Sequence, residues 1–248
     1  MAADGFEEIA GLVRRRAGIV LTPDKAYLLE TRLGPVLAKF SLGSLAALGA
    51  KLRAGAGEAL ERAVTEALTT HESSFFRDGK PFEHLAATLP KLAAARTGPI
   101  RVWSAACSTG QEPYSIAMLA ADTLPGRRVE IVATDISREI VERAREGVFT
   151  QFEVQRGLPI RSLMKHFRQD GARWRATVRF EERNLLGELA SLGKFDAIFC
   201  RNVLIYFDAP TKTRVLEALA RQLAPDGVLY LGGAETVIGL TERLAPVG

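Results

Sequence analysis

Residues 105–115, AACSTGQEPYS, have the composition of a loop that binds a nucleoside. Small side chains and Gly110 let the backbone turn sharply and approach a ligand, and Pro113 suits the first turn of a following helix. The segment lacks the Gly-x-Gly-x-x-Gly spacing and the lysine of phosphate-binding loops, which indicates a nucleoside without phosphates. S-adenosylmethionine is one such ligand, and Glu112 could attract its positive charge. The alternative is that Glu112 is simply an acid that stabilises a helix N-terminus.

Polar side chains also follow two later apolar segments. Asp135 lies 25 residues beyond Gly110, where an acid commonly accepts hydrogen bonds from ribose hydroxyls. The alternative is a helix cap, although Ser137 would serve as well. Asn184 and Leu185 could read the edge of an adenine and pack on its ring, but asparagine is also a common turn residue at strand ends.

Two further segments bear on the group that would be modified. Residues 200–207, CRNVLIYF, lack the Asn/Asp-Pro-Pro-Tyr motif that enzymes methylating amines often place here, so an acceptor other than nitrogen is favoured. Arg77 follows Phe75 and Phe76, which are predicted to pack the linker onto the sheet domain. Because a guanidinium matches two oxygens at once, Arg77 is predicted to clamp an incoming carboxylate.

The spacing of apolar residues predicts the elements that carry these side chains. Phe6, Ile9 and Leu12 recur at helical spacing, and Ser44 is a predicted helix cap. From residue 100 onward, runs typical of buried parallel strands (100–106, 129–135, 178–184, 195–202, 228–231) are separated mostly by helical stretches (113–124, 138–146, 211–223). This α/β alternation predicts a parallel sheet with helices on both faces and a ligand site beyond the carboxyl ends of its strands. We assign residues 1–70 to a helical N-terminal domain, 71–90 to a linker that contributes to the active site, and 91–248 to the ligand-binding domain, with a small edge insertion at about 156–177.

Composition excludes several classes of protein. The chain has 248 residues and 47% hydrophobic residues, enough for a core without disulfides or metals. Its two cysteines and three histidines show no metal-ligand spacing, so no metal is expected. No signal peptide or membrane span is present, which predicts a cytoplasmic protein without direct membrane insertion. The net charge of +4 falls entirely in residues 138–183, either as a solvated surface or as a surface that steers an acidic partner.

Several strings of the chain, taken in order, resemble the chemotaxis receptor methyltransferases, the CheR-type protein-glutamate O-methyltransferase family. They are THESSFFR (70–77), RVWSAACSTGQEPYSIA (101–117), ATDISREIVERA (133–144), VRFEERNLL (178–186), FDAIFCRNVLIYF (195–207) and RQLAPDGVLYLGGAE (221–235). The resemblance implies a Rossmann-like class I methyltransferase sheet. It also implies transfer of a methyl group from S-adenosylmethionine to glutamate side chains in the cytoplasmic helical region of chemoreceptors.

The same resemblance implies the site residues. Arg77 and Tyr206 are expected nearest the reacting groups, and the expected cofactor contacts are His71, Ser73, Arg77, Glu112, Asp135, Asn184, Leu185, Arg201 and Asn202. The family usually has asparagine at the position of His71 and often threonine at that of Ser73, and both replacements can still form hydrogen bonds. The segment between Trp174 and Val178 is several residues shorter than the family pattern, which argues against a complete three-stranded insertion and against docking to a receptor's C-terminal tail.

Two other functions remain open at this point. A methyltransferase acting on nucleic acid would use the basic segment 138–183 to follow phosphates. The sequence lacks a basic groove with aromatic residues between its cations, so nucleic acid is not expected as a partner. A cofactor-binding adaptor without catalysis would dock through its helical half. Retention of both Arg77 and Tyr206 weighs against the adaptor. The oligomeric state is left open by the sequence.

Overall fold

The computed structural model describes residues 5–167 and 178–247. Contacts divide the chain into two compact units. One holds the chain through Thr70 together with Tyr206–Arg214, and the other holds His71–Ile205 and the chain from Val215 onward. Among the described residues, no helix is both long enough and apolar enough to cross a membrane.

The first unit is helical, as its apolar spacing predicts. Its helices are α1 (Phe6–Ala17), α2 (Tyr27–Lys39), α3 (Leu45–Arg53) and α4 (Glu58–Leu68), with a 3-10 helix at Pro23–Lys25. Ile9, Leu33 and Val64, from three different helices, are fully buried, so each helix turns an apolar face inward. The Ser44 hydroxyl accepts the N–H of Ala47 at 3.1 Å, which confirms the predicted cap.

A later segment of the chain, Tyr206–Arg214, belongs to this helical unit. The N–H of Val20 donates to the Tyr206 carbonyl at 2.9 Å, and Ile19 forms an antiparallel bridge with Phe207. The Asp208 carboxylate pairs with Arg14 at 2.6 Å. The segment leads into α10 (Ala209–Gln222).

The second unit is built on a five-stranded parallel sheet with strand order β3-β2-β1-β4-β5. Its elements are α5 (Lys80–Ala95), β1 (Ile100–Ala105), α6 (Gln111–Thr123), β2 (Val129–Asp135), α7 (Arg138–Glu146), α8 (Gln151–Gln155), α9 (Ile160–His166), β3 (Val178–Glu182), β4 (Phe195–Cys200) and β5 (Leu223–Leu231). Strands β2 and β3 are added in turn on one side of β1, and β4 is then added on the other side of β1. The order therefore reverses between β1 and β4, where Ala105 is the register partner of Cys200, and ligands bind beyond such a switch point.

Both faces of the sheet are buried, which explains why its strands are apolar runs rather than alternating ones. On one face, Ile100 and Val102 pack with Leu85 of α5 and Ile116 of α6. Side chains of the opposite face are buried as well, and Trp103 is fully covered. The predicted α/β fold is confirmed.

Several elements differ from the sequence prediction. Helix α5 was not predicted and begins within the proposed linker at 71–90. Strand β3 ends at Glu182, two residues before the predicted end, and β5 begins at Leu223 with a register irregularity where it pairs with β4 between Phe195 and Ala197. Helix α8 lies just before the predicted edge insertion at about 156–177 and α9 lies within it, whereas residues 168–177 of the insertion lie outside the described residues.

Candidate active site

The loop after β1 adopts an unusual backbone conformation. Ala106 and Ser108 have φ angles of 64° and 51°, and Gly110 has 98° at the start of α6. Left-handed conformations of this kind cost a non-glycine residue about 1–2 kcal/mol and concentrate at functional sites. At Gly110 a Cβ would also lie 3.2 Å from the Tyr114 ring, so the left-handed turn favours glycine and the tight space adds to that preference.

Asp135 ties the end of β2 to this loop. Its buried carboxylate accepts the N–H of Ser108 at 2.9 Å and the N–H of Ser137 at 3.1 Å. The helix cap of α7 is Ser137, whose hydroxyl accepts the N–H of Ile140, so Asp135 is not used as that cap. Each carboxylate oxygen of Asp135 keeps a second lone pair for a ligand hydroxyl.

The hydroxyl of Ser108 makes no hydrogen bond with any described residue although it is buried. A buried hydroxyl without a partner costs about 1–3 kcal/mol, and a polar ligand lying beside Asp135 would satisfy it. This orphaned atom, together with the open lone pairs of Asp135, shows that the loop fits a ribose-bearing cofactor.

Glu112 points back toward the sheet rather than only lying at the helix N-terminus. Its carboxylate accepts the Ser104 hydroxyl at 2.7 Å and pairs with Arg201 at 3.0 Å. Burial raises the pKa of the Glu112 carboxyl above its usual value, while the charges of Arg201 and Arg77 and the Ser104 hydrogen bond oppose that rise. A buried acid held beside two cations forms the electrostatic centre of the site.

Arg201, at the end of β4, joins three segments. Its side chain is only 2% exposed. Besides pairing with Glu112, it donates to the carbonyl of Arg77 at 2.8 Å and to the carboxylate of Asp78 at 2.6 Å, and it lies 5.7 Å from the Phe82 ring centroid. These protein contacts give the guanidinium a structural role, and a cofactor contact of Arg201 stays a prediction.

Arg77 is carried by a tight, strained turn. Its neighbours Phe76 and Asp78 have φ angles of 47° and 67°, and the Phe76 N–H donates to the Ser115 hydroxyl of α6 at 3.0 Å. Phe75 is fully buried, as the predicted packing role requires. The Arg77 guanidinium donates to the Glu72 carbonyl at 3.3 Å and is half-buried. The turn therefore holds a partly accessible cation whose charge is felt by Glu112.

The remaining predicted residues lie at other points of the chain. Asn184 is in a turn beyond β3, where its side-chain oxygen accepts the N–H of Leu186 at 2.9 Å, and Leu185 is buried. His71 and Ser73 are half-buried on the irregular segment before the Arg77 turn. Tyr206 belongs to the helical unit.

Asn202, the last of the predicted residues, follows β4 with a left-handed backbone, φ 58°. Its N–H donates to the Glu235 carboxylate at 2.9 Å. The sequence analysis missed Glu235, Asp78 and Ser108. A possible signal for Asp78 was its position next to Arg77.

The fold is a parallel sheet whose loop after β1 lacks a phosphate-binding motif and whose strand β2 ends in an acid. This combination defines a class I methyltransferase that uses S-adenosylmethionine. The chain belongs to the CheR methyltransferase family. The family model described as the CheR methyltransferase S-adenosylmethionine-binding domain matches residues 71–248, and that of the CheR all-alpha domain matches residues 4–69. The predicted family and class of enzyme are confirmed.

Similar proteins span nearly the whole chain. The chemotaxis protein methyltransferase of Vibrio parahaemolyticus is 41% identical over 254 residues, covering 98% of this chain and 92% of that protein. Chemotaxis protein methyltransferase 1 of Pseudomonas aeruginosa is 39% identical, covering 96% and 92%. The chemotaxis protein methyltransferase of Escherichia coli is 37% identical, covering 96% and 86%.

Proposed function

We propose that this methyltransferase esterifies glutamate side chains in the cytoplasmic helical region of methyl-accepting chemotaxis receptors. The names of its relatives support a chemotaxis substrate. The observation that carries the proposal is the Arg77 turn, because it presents a half-buried guanidinium whose charge lowers the pKa of the buried Glu112. A cation at that place suits a carboxylate acceptor.

The cofactor contacts follow from the loops beyond the strand ends. S-adenosylmethionine would supply a methyl group bonded to a positively charged sulfur. Asp135 would accept hydrogen bonds from its ribose, and Glu112 would attract its positively charged end. Asn184 and Leu185 would contact the adenine, with further contacts from His71, Ser73, Arg77, Arg201 and Asn202.

The acceptor requires positioning rather than deprotonation. A glutamate with a pKa near 4.3 is already an anion at pH 7, so no protein base has to remove a proton. Arg77 would orient the two carboxylate oxygens, and Tyr206 would donate a hydrogen bond or exclude water. Holding the reacting atoms in line accounts for several kcal/mol of such a barrier.

The basic segment gives little support to a nucleic-acid substrate. Several of its cations form ion pairs with nearby carboxylates: Arg143 with Glu153, Arg145 with Glu142, Arg156 with Glu72, Lys165 with Asp122, and Arg179 and Arg183 with Glu181. Cations neutralised in this way are poorly placed to follow a row of phosphates.

Transfer of labelled methyl to base-labile esters on a receptor fragment tests the proposal. Arg77→Lys keeps the charge but loses the fork, and Arg77→Ala loses both. We expect Arg77→Ala to lower kcat/KM about 10- to 100-fold, the range for one charge-assisted hydrogen-bonded contact, with the lysine variant in between. Tyr206→Phe should also lower turnover, whereas Asp135→Ala should mainly weaken cofactor binding.

Arg128→Ala is a matched control, because that arginine is 78% exposed and directly precedes β2 at the opposite end of the sheet. The Arg128→Ala variant should transfer methyl groups at the wild-type rate. Unchanged turnover in both Arg77→Ala and Tyr206→Phe would refute the assignment. Label that enters RNA or DNA rather than the receptor fragment would support the nucleic-acid alternative, and cofactor binding without any transfer would support the adaptor.

A further inference from the structure

The Glu235 carboxylate, beyond the end of β5, accepts hydrogen bonds from four backbone N–H groups. One oxygen accepts the N–H of Asn202 at 2.9 Å and of Gly232 at 2.6 Å. The other accepts the N–H of Val203 at 2.9 Å and of Leu204 at 2.7 Å. A single carboxylate therefore satisfies three consecutive amides of the loop that follows β4.

This loop has a conformation that needs an anion. The left-handed backbone of Asn202 turns successive N–H groups toward one point, which creates a concave anion-binding arrangement. Without Glu235 these N–H groups would point at one another with no acceptor between them. No hydrogen bonds would then offset the strained backbone of Asn202.

Gly232 brings β5 against the same loop. A Cβ at this position would lie 2.8 Å from the Asn202 side-chain nitrogen, 2.9 Å from the Asn202 backbone nitrogen and 2.8 Å from the Glu235 carboxylate. No side chain fits there, so the close approach requires glycine. Glu235 therefore holds the backbone of Asn202, and Gly232 leaves room for its side chain.

We propose that Glu235 is a positioning residue for the cofactor site. It acts through Asn202, whose backbone it holds at the switch point between β1 and β4, directly after Arg201. The inference rests on the proposed function, since it assumes that the Asn202 loop contacts S-adenosylmethionine. Glu235 itself is not assigned a contact with the cofactor.

The chemistry of the four donors makes glutamate hard to replace. Glutamine has nearly the same shape, but it replaces one acceptor oxygen with an NH₂ group that would face two N–H donors. Glu235→Gln should therefore be almost as damaging as Glu235→Ala. A side chain that only fills space would instead be rescued by glutamine.

Asp196 provides the matched control. It is a buried carboxylate on β4, and it accepts the N–H of Arg101 at 2.8 Å and the side chain of Arg96 at 2.9 Å. Arg101 belongs to β1, but Asp196 lies near the amino end of β4, whereas the Asn202 loop follows the carboxyl end. Asp196→Asn should thus lower the thermal unfolding temperature without altering the cofactor site.

Calorimetric titration of the full chain with S-adenosylhomocysteine tests the proposal. At a temperature where circular dichroism shows each variant folded, we expect Glu235→Gln and Glu235→Ala to raise Kd at least about tenfold, and Gly232→Ala to do the same. Asp196→Asn should stay within about twofold of wild type. In methyl-transfer assays the Glu235 variants should raise KM for S-adenosylmethionine more than they lower kcat.

The outcomes separate the two proposals. Wild-type affinity in Glu235→Gln, or equal weakening in Asp196→Asn, overturns the positioning role and leaves the proposed function intact. No binding by the wild type overturns both. If the Glu235 variants do not fold, amide hydrogen exchange on the wild type decides: the amides of Val203 and Leu204 should be protected without cofactor, and exchange at the rate of an unstructured peptide overturns the proposal.

Discussion

Replacing Arg201 by methionine removes a buried cation and leaves its partner Glu112 charged. Their side chains are 2% and 12% exposed, and the two charged groups lie 3.0 Å apart. At an effective dielectric constant of about 20, attraction at that distance is roughly 5 kcal/mol before desolvation is subtracted. Breaking such a pair typically costs about 3–5 kcal/mol, which is the loss we expect in the free energy of unfolding. Asp78, half exposed, adds little because water screens it.

The loss should depend on pH. Burial already raises the pKa of Glu112, and removal of Arg201 takes away an effect that lowers it, so the pKa rises further in the variant. An acid whose folded-state pKa is raised destabilises the fold when ionised and ceases to do so when protonated. The deficit of Arg201→Met should therefore be full above the folded-state pKa of Glu112 and shrink as the pH falls through it.

Urea unfolding measured through Trp103 is a suitable assay. Trp103 is fully buried in β1 and shares the chain with one other tryptophan, Trp174, so a Trp174→Phe background makes it the sole reporter. The double variant with Glu112→Gln removes the stranded charge and should be about 2 kcal/mol more stable than the sum of the two single changes predicts. Additive effects, or a deficit that does not shrink as the pH is lowered towards the acid unfolding range, would refute this account of the pair.

Three further predictions concern other parts of the fold. Gly157→Ala would bring a methyl group within 2.1 Å of a backbone carbonyl oxygen at a φ of +87°, so it should lower stability by more than about 2 kcal/mol in urea unfolding. Gly98→Ala, where a methyl group meets open space, should be close to neutral. Asp135→Asn loses one of two acceptor oxygens and should weaken S-adenosylhomocysteine binding about tenfold by calorimetry, and an unchanged Kd would contradict its role. Hydrogen bonds from Thr211 lower the pKa of Asp208 from 3.8 to about 2. Its contribution to stability should be complete above pH 4 and disappear between about pH 4 and pH 2, and Asp208→Asn should remove that part of the acid titration seen by circular dichroism.

Features that depend on local spacing and sheet topology could be predicted from the sequence. The loop after β1, the acid at the end of β2 and the cap at Ser137 all lie within a few residues of a strand end, and a parallel sheet brings strand ends to one edge. The pattern of strands and helices from residue 100 onward was enough to give the α/β class.

Contacts between distant positions could not be predicted in this way. Glu112 and Arg201 are 89 residues apart and Asn202 and Glu235 are 33 apart, so their pairing depends on which strands are neighbours. An acid at the start of a helix has a sufficient local explanation, so nothing in the local sequence points to its partner Arg201 just after β4.

Two elements, one not predicted and one predicted too short, have local features that explain the difference. Helix α5, which was not predicted, contains Pro81 and Pro90, residues of a type that commonly interrupts helices, although Phe82, Leu85 and Leu89 recur at helical spacing and are buried. Proline is tolerated in the first turn, where its missing N–H would have no partner. In β5 the sequence Pro-Asp-Gly reads as a turn, but the chain resumes pairing on both sides of it.

The segment Tyr206–Arg214 belongs to the helical unit, and this limits how the protein can be shortened. The two family models meet at residue 70, which suggests a natural border for separate expression. A fragment starting at residue 71 would nevertheless expose Phe207, which is 7% accessible in the full chain, and would take Arg14 away from Asp208. Truncation at that border therefore leaves an apolar side chain uncovered and a carboxylate without its partner, and such a fragment should aggregate more readily than the whole protein.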